Sequence, residues 1–464
     1  MKQTYFSRVT GAGSGESFAD IWRYFWPECI ATVVLYAIPI LLDSFWITQA
    51  CNSVEFGIFG ITNTLIQLVF KVADAISTGI IISCGRYNGL GDYERVGTSF
   101  VTAFWLTLLA GTCISLLLYS GSEIIYLLYN TPSEEIPAYI PFLQYRAISV
   151  FFMFFYFPFI GFLRSIKNTR VPMILFVGSS IVFVILDCAL IFGSPLCSAY
   201  GMRGSAIAAI FQNMFVAFGA LGYILFSRIR ETYPIKFFTG FSRHMVKDIV
   251  KLSWPVIIDK AALAFAGMWL AWVISYLGPT AKASYSAIHM FQRIFILPSV
   301  ACATVITFLV SNRIGNKDWI GIKNTTKKAI LFSLFVVLTP LGIISLFPTF
   351  FIGLFDKHNM YTAFAAEAFP IITAFVIFDI LQVLLSAALR GSREVETVMK
   401  GRVGALIFFF APFSFILLNM PIAHVFTKFI LIYTSFYVSN ALMALYYTIK
   451  LRVKGSNQLF TESI

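Results

Sequence analysis

Two aspartates lie inside apolar stretches long enough to cross a membrane, and they are the residues best suited to chemistry in this sequence. Asp187 is the only charged residue between Val171 and Phe192, and Asp43 lies near the end of an earlier apolar stretch. Placing a bare carboxylate in hydrocarbon costs roughly 2.5 kcal/mol or more even on lenient scales. Each acid therefore has a structural partner, or it binds a proton or a metal cation.

Further charged residues lie in other apolar stretches. Asp379 and Asp259 are in the second half of the chain, and Lys260 is adjacent to Asp259. We predict a second cation site from these three residues, with a neutralising ion pair as the alternative. Arg146 has no acid within a helical turn, so it either pairs with an acid on another helix or meets an anionic substrate. Glu28 is near the end of its stretch, where we expect its side chain to reach the interface.

The elements that must position these groups follow from composition. Of 464 residues, 58% are hydrophobic and 12% are charged, and the mean hydropathy is +0.81. A soluble domain averages about 25% charged residues, and a bilayer core of about 30 Å requires roughly 20 apolar residues per helix. Twelve such runs occur, without the alternation of barrel strands, at 27–50, 57–84, 98–119, 138–162, 171–193, 204–227, 252–277, 284–310, 328–354, 362–389, 403–421 and 425–449. We predict an all-α membrane protein with twelve transmembrane helices.

Positive charge is concentrated on one side of this arrangement. Segments 1–25, 85–97, 163–170, 228–251, 311–328, 390–402 and 450–464 hold 26 of the 34 Lys and Arg residues, whereas the opposite loops hold three. The positive-inside rule then places both termini in the cytoplasm. Membrane topology accounts for the net charge of +12, so we expect no nucleic-acid partner. We expect a multi-pass protein of the plasma (inner) membrane.

The two halves of the chain repeat one another. "DIWRYFWP" at 20–27 matches "DIVKLSWP" at 248–255, "GLGD" ending at Asp92 matches "GNKD" ending at Asp318, and Leu163-Arg164 matches Leu389-Arg390. The offsets are 228, 226 and 226 residues. We predict two six-helix bundles related by a parallel pseudo-twofold repeat: an N-terminal lobe at 1–230, a cytoplasmic linker at 231–250, and a C-terminal lobe with its tail at 251–464. The chain should turn into the bilayer at each Trp-Pro.

This topology brings the first two acids to a similar depth. Asp43 is seven residues from the outer end of its run and Asp187 about five, at about 1.5 Å of helix per residue. Tyr36 and Ser180 each precede one acid by seven residues and share its helical face. We predict a proton or cation-coupling site at Asp43, Asp187, Tyr36, Ser180 and Asn213. A network that only holds the helices together is the alternative.

The motifs of enzymes are missing from the sequence. It has no Walker loop, HExxH, Cys/His metal spacing or nucleophile elbow. We therefore expect no enzymatic activity, no cofactor and no bound metal, apart from H⁺ or Na⁺ as the coupling ion at Asp43 and Asp187. Further polar residues within the apolar runs are candidates for lining a substrate cavity: Asn63, Gln67, Arg146, Gln212, His289 and Gln382.

Several local patterns resemble the multidrug and toxic compound extrusion (MATE) family over nearly the whole chain. These are "LLDSFWI" at 41–47, "CGRYNGLGDYERV" at 84–96, "GFLRSIKNTRVPM" followed by "VILDCALIFG", "GMRGSAIAAIFQN" at 201–213 and "FDILQVLLSAALRGSREVE" at 378–396. The resemblance implies an antiporter that alternates between inward-facing and outward-facing states and exports organic compounds, driven by Na⁺ or H⁺.

The resemblance also implies roles for individual acids. Asp43 and Asp187 match the cation-coupling acids of the family's first half, Asp379 matches an acid of its second half, and Asp259 falls near a member-specific acid. The chain departs from the family where Phe183 replaces a common Asn and Ala209 a common Thr. The loss of two oxygen ligands weakens an Na⁺ site more than a proton site, which favours H⁺.

Two other functions compete with drug export. A flippase of a lipid-linked precursor, or a transporter of an anionic metabolite, would be favoured by basic residues lining the cavity. A receptor or scaffold is disfavoured by the paired acids and the repeat. We expect the partners to be a small organic substrate, the coupling cation and the lipid bilayer, with the protein acting as a monomer.

Overall fold

The chain folds into a series of α-helices in a computed structural model, which describes residues 15–50, 52–129, 131–132, 134–193, 198–353, 356 and 360–461. Side chains are described for all of these except 39–41, 44, 53–54 and 456–461. The helices are α1 Phe18–Tyr36, α2 Ile38–Ala50, α3 Ser53–Gly89, α4 Tyr93–Ser120, α5 Ser122–Leu128, α6 Ile136–Ser165, α7 Arg170–Phe192, α8 Met202–Phe226, α9 Ile229–Thr232, α10 Arg243–Ser275, α11 Pro279–Gly315, α12 Trp319–Leu346, α13 Pro348–Gly353, α14 Thr362–Gly391, α15 Val395–Ala405, α16 Ala411–Asn419 and α17 Val425–Thr461. A π-helical turn over Leu406–Phe410 joins α15 to α16.

The predicted all-α membrane fold is confirmed, and each of the twelve apolar runs has a helical counterpart. In the described residues, eleven helical stretches are long and apolar enough to cross a membrane. The first run is the exception, because its helix is divided at Ala37 into α1 and α2. Pro39 follows this break and has no N–H to donate to the carbonyl four residues earlier, which weakens the helix there.

The expected turn at each Trp-Pro is wrong. Pro27 lies inside α1 and Pro255 inside α10, so the helix continues through each Trp-Pro without a turn. A proline removes a single backbone hydrogen bond, and packing against neighbouring helices compensates for that loss.

Residues 26–257 form one compact unit, and α6 is its central helix. Most of α6 is buried, and its Phe residues pack against α4, with the rings of Phe100 and Phe162 centred 4.7 Å apart. Glu28 does not reach the interface as expected. Its side chain is fully buried and binds Arg164 of α6, with Oε1 2.5 Å from Nη2. A buried carboxylate requires such a partner, and the repeat motif Leu163-Arg164 supplies it.

The second compact unit consists of residues 258–464 together with the described N-terminal residues 15–25. Its buried core is formed mainly by α11, α14 and α17. The N-terminal residues are attached to it by several contacts. The Glu16 N–H donates to Thr325 Oγ1 at 3.1 Å, Lys328 Nζ donates to the Glu16 carbonyl at 2.9 Å, and the Phe25 ring is 4.8 Å from that of Phe332.

The backbone repeats at the offset seen in the sequence. Gly91 and Lys317, 226 residues apart, have φ of +74° and +56°, and the Asp that follows each of them caps the next helix. Lys167 and Arg393, at the same offset, have φ of +63° and +66°. Positive φ is uncommon outside glycine, so its recurrence in both halves supports a repeated structural unit.

Candidate functional site

The first candidate site is built by four helices of the unit at 26–257. Asp43 lies on α2, Arg146 on α6, Asp187 on α7 and Ser205 on α8. All four side chains are buried within the protein. The two acids predicted from the sequence therefore lie in one packed bundle, together with a base and a hydroxyl from two further helices.

Asp43 is fully engaged by its neighbours. Arg146 Nη2 donates to its Oδ2 at 2.7 Å, and Ser205 Oγ donates to its Oδ1 at 2.5 Å. Arg146 Nη2 also donates to Ser205 Oγ at 3.0 Å, which closes a triangle of three hydrogen bonds. The guanidinium lies over the ring of Phe142, with Cζ 5.4 Å from its centroid. The Asp43 carboxyl group is thus paired with a guanidinium that is permanently charged.

Asp187 is not bound in this way by any of the described residues. Its side chain is fully buried, and neither carboxylate oxygen accepts a hydrogen bond from the part of the chain that the structure describes. It interacts electrostatically with Asp43, Arg146 and the hydroxyl of Ser205, whose hydrogen bond goes to Asp43. An ionised carboxylate in this position would lack both solvation and hydrogen bonds, whereas its protonated form would be neutral.

The structure pairs Arg146 with an acid on another helix, which is one of the two possibilities that the sequence leaves open. Arg146 contacts Asp43 from another helix, 103 residues away in the sequence. Its Nε is buried without a hydrogen-bond partner in the described part of the chain. The requirement that an acid bind a proton or cation therefore applies to Asp187 rather than to Asp43.

The other residues predicted for this site have partners of their own. Tyr36 Oη donates to Asp74 Oδ2 at 3.2 Å, and the break at Ala37 separates Tyr36 from the helix of Asp43. Asn213 Nδ2 donates to the carbonyl and hydroxyl of Ser149, at 3.1 and 2.8 Å. Ser180 is buried on α7, the helix of Asp187.

The two acids of the second candidate site have different hydrogen-bond partners, and Arg402 interacts electrostatically with both of them. Asp259 lies between two arginines. Its Oδ2 is 2.6 Å from Arg390 Nη2, and its Oδ1 contacts Arg402 Nε. Asp379 is half-buried, and its Oδ1 accepts a hydrogen bond from Asn440 Nδ2 at 3.0 Å. Lys260, next to Asp259 in the sequence, is half-buried.

The candidate cavity residues differ in their surroundings. Gln382 is buried, and its Nε2 has no hydrogen-bond partner in the described residues. His289 is exposed and stacks on Tyr285, with ring centroids 5.4 Å apart. Asn63, Gln67 and Gln212 are half-buried. That these residues line a substrate cavity stays a prediction.

Other polar residues in the structure are not singled out by the sequence patterns. Ser205 completes the triangle around Asp43, and a hydroxyl in "GMRGSAI" gives no signal of that role. Gln292 Oε1 accepts hydrogen bonds from Tyr433 and Tyr437, both at 2.8 Å. The four-residue spacing of the tyrosines places them on one helical face, which is the one available signal.

Comparisons with known proteins agree with this architecture. The MatE family model matches residues 29–189 and 255–425. The probable multidrug resistance protein NorM of Thermotoga maritima is 24% identical over 335 residues, 72% of this chain and 71% of that protein. The probable multidrug resistance protein YoeA of Bacillus subtilis is 21% identical over 339 residues, 71% of this chain and 72% of that protein. A crystal structure of MATE in the bent conformation covers 100% of both chains with a TM-score of 0.88 at 18% identity, and so shares the fold. The chain is an integral, multi-pass membrane protein.

Proposed function

Because the chain belongs to the MatE family of multidrug and toxic compound extrusion transporters, we propose that it is a cation-coupled antiporter that exports organic compounds by alternating access. The observation that carries the proposal is the buried carboxylate of Asp187, which lies near the Asp43–Arg146 pair and accepts no hydrogen bond from the described part of the chain. A buried acid without a partner binds a cation readily and releases it when water reaches the site.

The ligands around Asp187 favour a proton over Na⁺ as the coupling ion. A hard metal cation needs several oxygen ligands, and both oxygens of Asp43 are already bound by Arg146 and Ser205. Phe183 and Ala209, buried on α7 and α8, offer no side-chain oxygen. A proton needs only one oxygen of Asp187, so this donor set supports H⁺.

Antiport follows if protonation of Asp187 and substrate binding exclude one another. Thermodynamic linkage makes such competition reciprocal: substrate binding promotes proton release, and protonation promotes substrate release. The charge distribution predicts that both termini lie on the cytoplasmic side of the plasma (inner) membrane. A proton then binds Asp187 from the outside and is released to the inside. An organic substrate moves in the opposite direction.

The anionic-substrate and flippase alternatives receive less support. They need basic side chains that are available to an anion, and Arg146 is bound to Asp43 while Arg390 and Arg402 are bound to Asp259. The curated relatives named as multidrug resistance proteins favour an organic drug-like substrate.

The test is transport by purified protein in proteoliposomes, with ethidium as the probe and an imposed gradient of either H⁺ or Na⁺. We expect uphill ethidium transport with the pH gradient, and its loss in Asp187→Asn, because Asn has the shape of the protonated acid but cannot release a proton. Cys188→Ala, an exposed neighbour on the same helix, is the matched control and should transport normally. Absence of uphill transport by the wild-type protein under both gradients would count against the proposal, as would normal coupling in Asp187→Asn.

A further inference from the structure

Arg146, the basic residue at the coupling site, changes the number of cations that the site can bind. Asp43, Asp187 and Arg146 are the charged groups of the site that interact with one another across α2, α6 and α7. When both acids are ionised, the net charge of the three residues is −1. One proton makes the cluster neutral, and a second would leave an unbalanced positive charge in a buried place.

Arg146 is fixed in place rather than free to leave. Its side chain is 9% exposed and that of Asp43 is 4% exposed. It bonds to both Asp43 and Ser205 and rests on the ring of Phe142. A guanidinium stays protonated throughout the accessible pH range. An incoming cation would have to displace the guanidinium of Arg146, which is part of the chain, to reach Asp43.

We infer that Arg146 acts as a built-in cation for the Asp43–Asp187 pair, so that Asp187 alone exchanges protons and the site carries one coupling proton per cycle. This inference rests on the proposed antiport function and adds a specificity-determining residue to it. An acid pair without Arg146 would have a charge of −2 when ionised and could take up two cations, with Asp43 as the second exchanging group.

Infrared titration of the purified protein tests this inference without using transport. In the wild type, the site should contribute one protonated carboxyl component, and Asp187→Asn should remove it without leaving a component from Asp43. In an Arg146→Gln background, Asp43→Asn should now remove a component as well, because Asp43 has lost its counter-charge. Arg146→Lys keeps the positive charge but loses the contacts of the guanidinium, so it should show one protonated carboxyl component, as the wild type does.

Transport stoichiometry gives the second measurement. The ethidium gradient reached at equilibrium under a fixed pH gradient should correspond to one more proton per substrate in Arg146→Gln than in the wild type. The double variant Asp43→Asn/Arg146→Gln removes both charges and should return to the wild-type number, and it also tests the inference if Arg146→Gln alone does not fold.

Three results would overturn the inference: a protonated Asp43 component in the wild type, no new component in the Arg146→Gln background, or equal stoichiometry with and without Arg146. Failure of the proposed function is a different result. In that case the wild type does not move ethidium uphill, while the infrared titration still reports whether Asp43 or Asp187 carries the proton.

Discussion

Asp259 binds one buried and one half-buried arginine, and we predict that its neutralisation destabilises the unit at 258–464. The carboxylate is 1% exposed and bonds to Arg390 through Oδ2 and to Arg402 through Oδ1. Arg402 is also buried, at 5% exposure. In Asp259→Asn the amide cannot neutralise either guanidinium, so two positive charges are left without their partner. The side chain that the sequence marks as a coupling candidate is thus expected to matter for stability.

The size of the effect follows from this burial. Removing one partner of a buried ion pair destabilises a protein by about 3–5 kcal/mol. For a unit of roughly 150–250 residues, each kcal/mol lowers the transition temperature by about 2–4 °C. We therefore expect Asp259→Asn to lower the transition temperature of this unit by roughly 6–20 °C. Glu396→Gln, which removes an exposed bridge to Lys400 of 3.7 Å, should change the stability by less than about 1 kcal/mol.

The assay is thermal unfolding of detergent-purified protein, followed by loss of the monodisperse peak after heating. Asp259→Asn/Arg402→Met removes one of the two stranded charges and should recover part of the loss, with a coupling energy of about 0.5–3 kcal/mol. A transition of Asp259→Asn within the error of the wild type would refute the reasoning. So would a double variant less stable than the sum of the two single changes.

Two further outcomes are expected outside the membrane spans. Glu16→Ala removes the 3.3 Å contact with Arg313, which contributes about 0.2–1 kcal/mol of stability. Amide hydrogen exchange over residues 15–25 should therefore accelerate by up to about fivefold. Unchanged exchange would show that this contact does not hold the N-terminal residues in place. Burial of the Asp356 carboxyl acts to raise its pKa, but hydrogen bonds from Tyr361 and Thr362 outweigh it and lower the pKa to about 2. Because the pKa is depressed on folding, the stabilisation is present above the unfolded value of about 4 and is lost as the pH falls toward 2. Amide protection at the start of α14, corrected for intrinsic exchange, should fall between pH values of about 4 and 2 in the wild type and stay constant in Asp356→Asn. Parallel pH profiles of the two proteins would contradict this role of Asp356.

The sequence by itself determined the helical spans, the membrane class and the internal repeat. Each of these depends on properties that add up along the chain: apolar transfer free energy over about 20 residues, basic residues counted loop by loop, and matching motifs at one offset. The Asp that follows Gly91 and the Asp that follows Lys317 show this, because a motif found at two positions specified the same turn and cap in both halves.

The tertiary structure decided which charges are neutralised. Arg146 is 103 residues from Asp43, and Arg402 is 143 residues from Asp259. Linear spacing identifies neighbours three or four residues apart on one helix, but it does not give the rotation and depth of one helix against another. Those depend on the packing of all side chains at once. For this reason Asp43 and Asp187 look alike in the sequence, while the packed bundle provides a counter-charge for Asp43 and leaves Asp187 without a hydrogen-bond partner among the described residues.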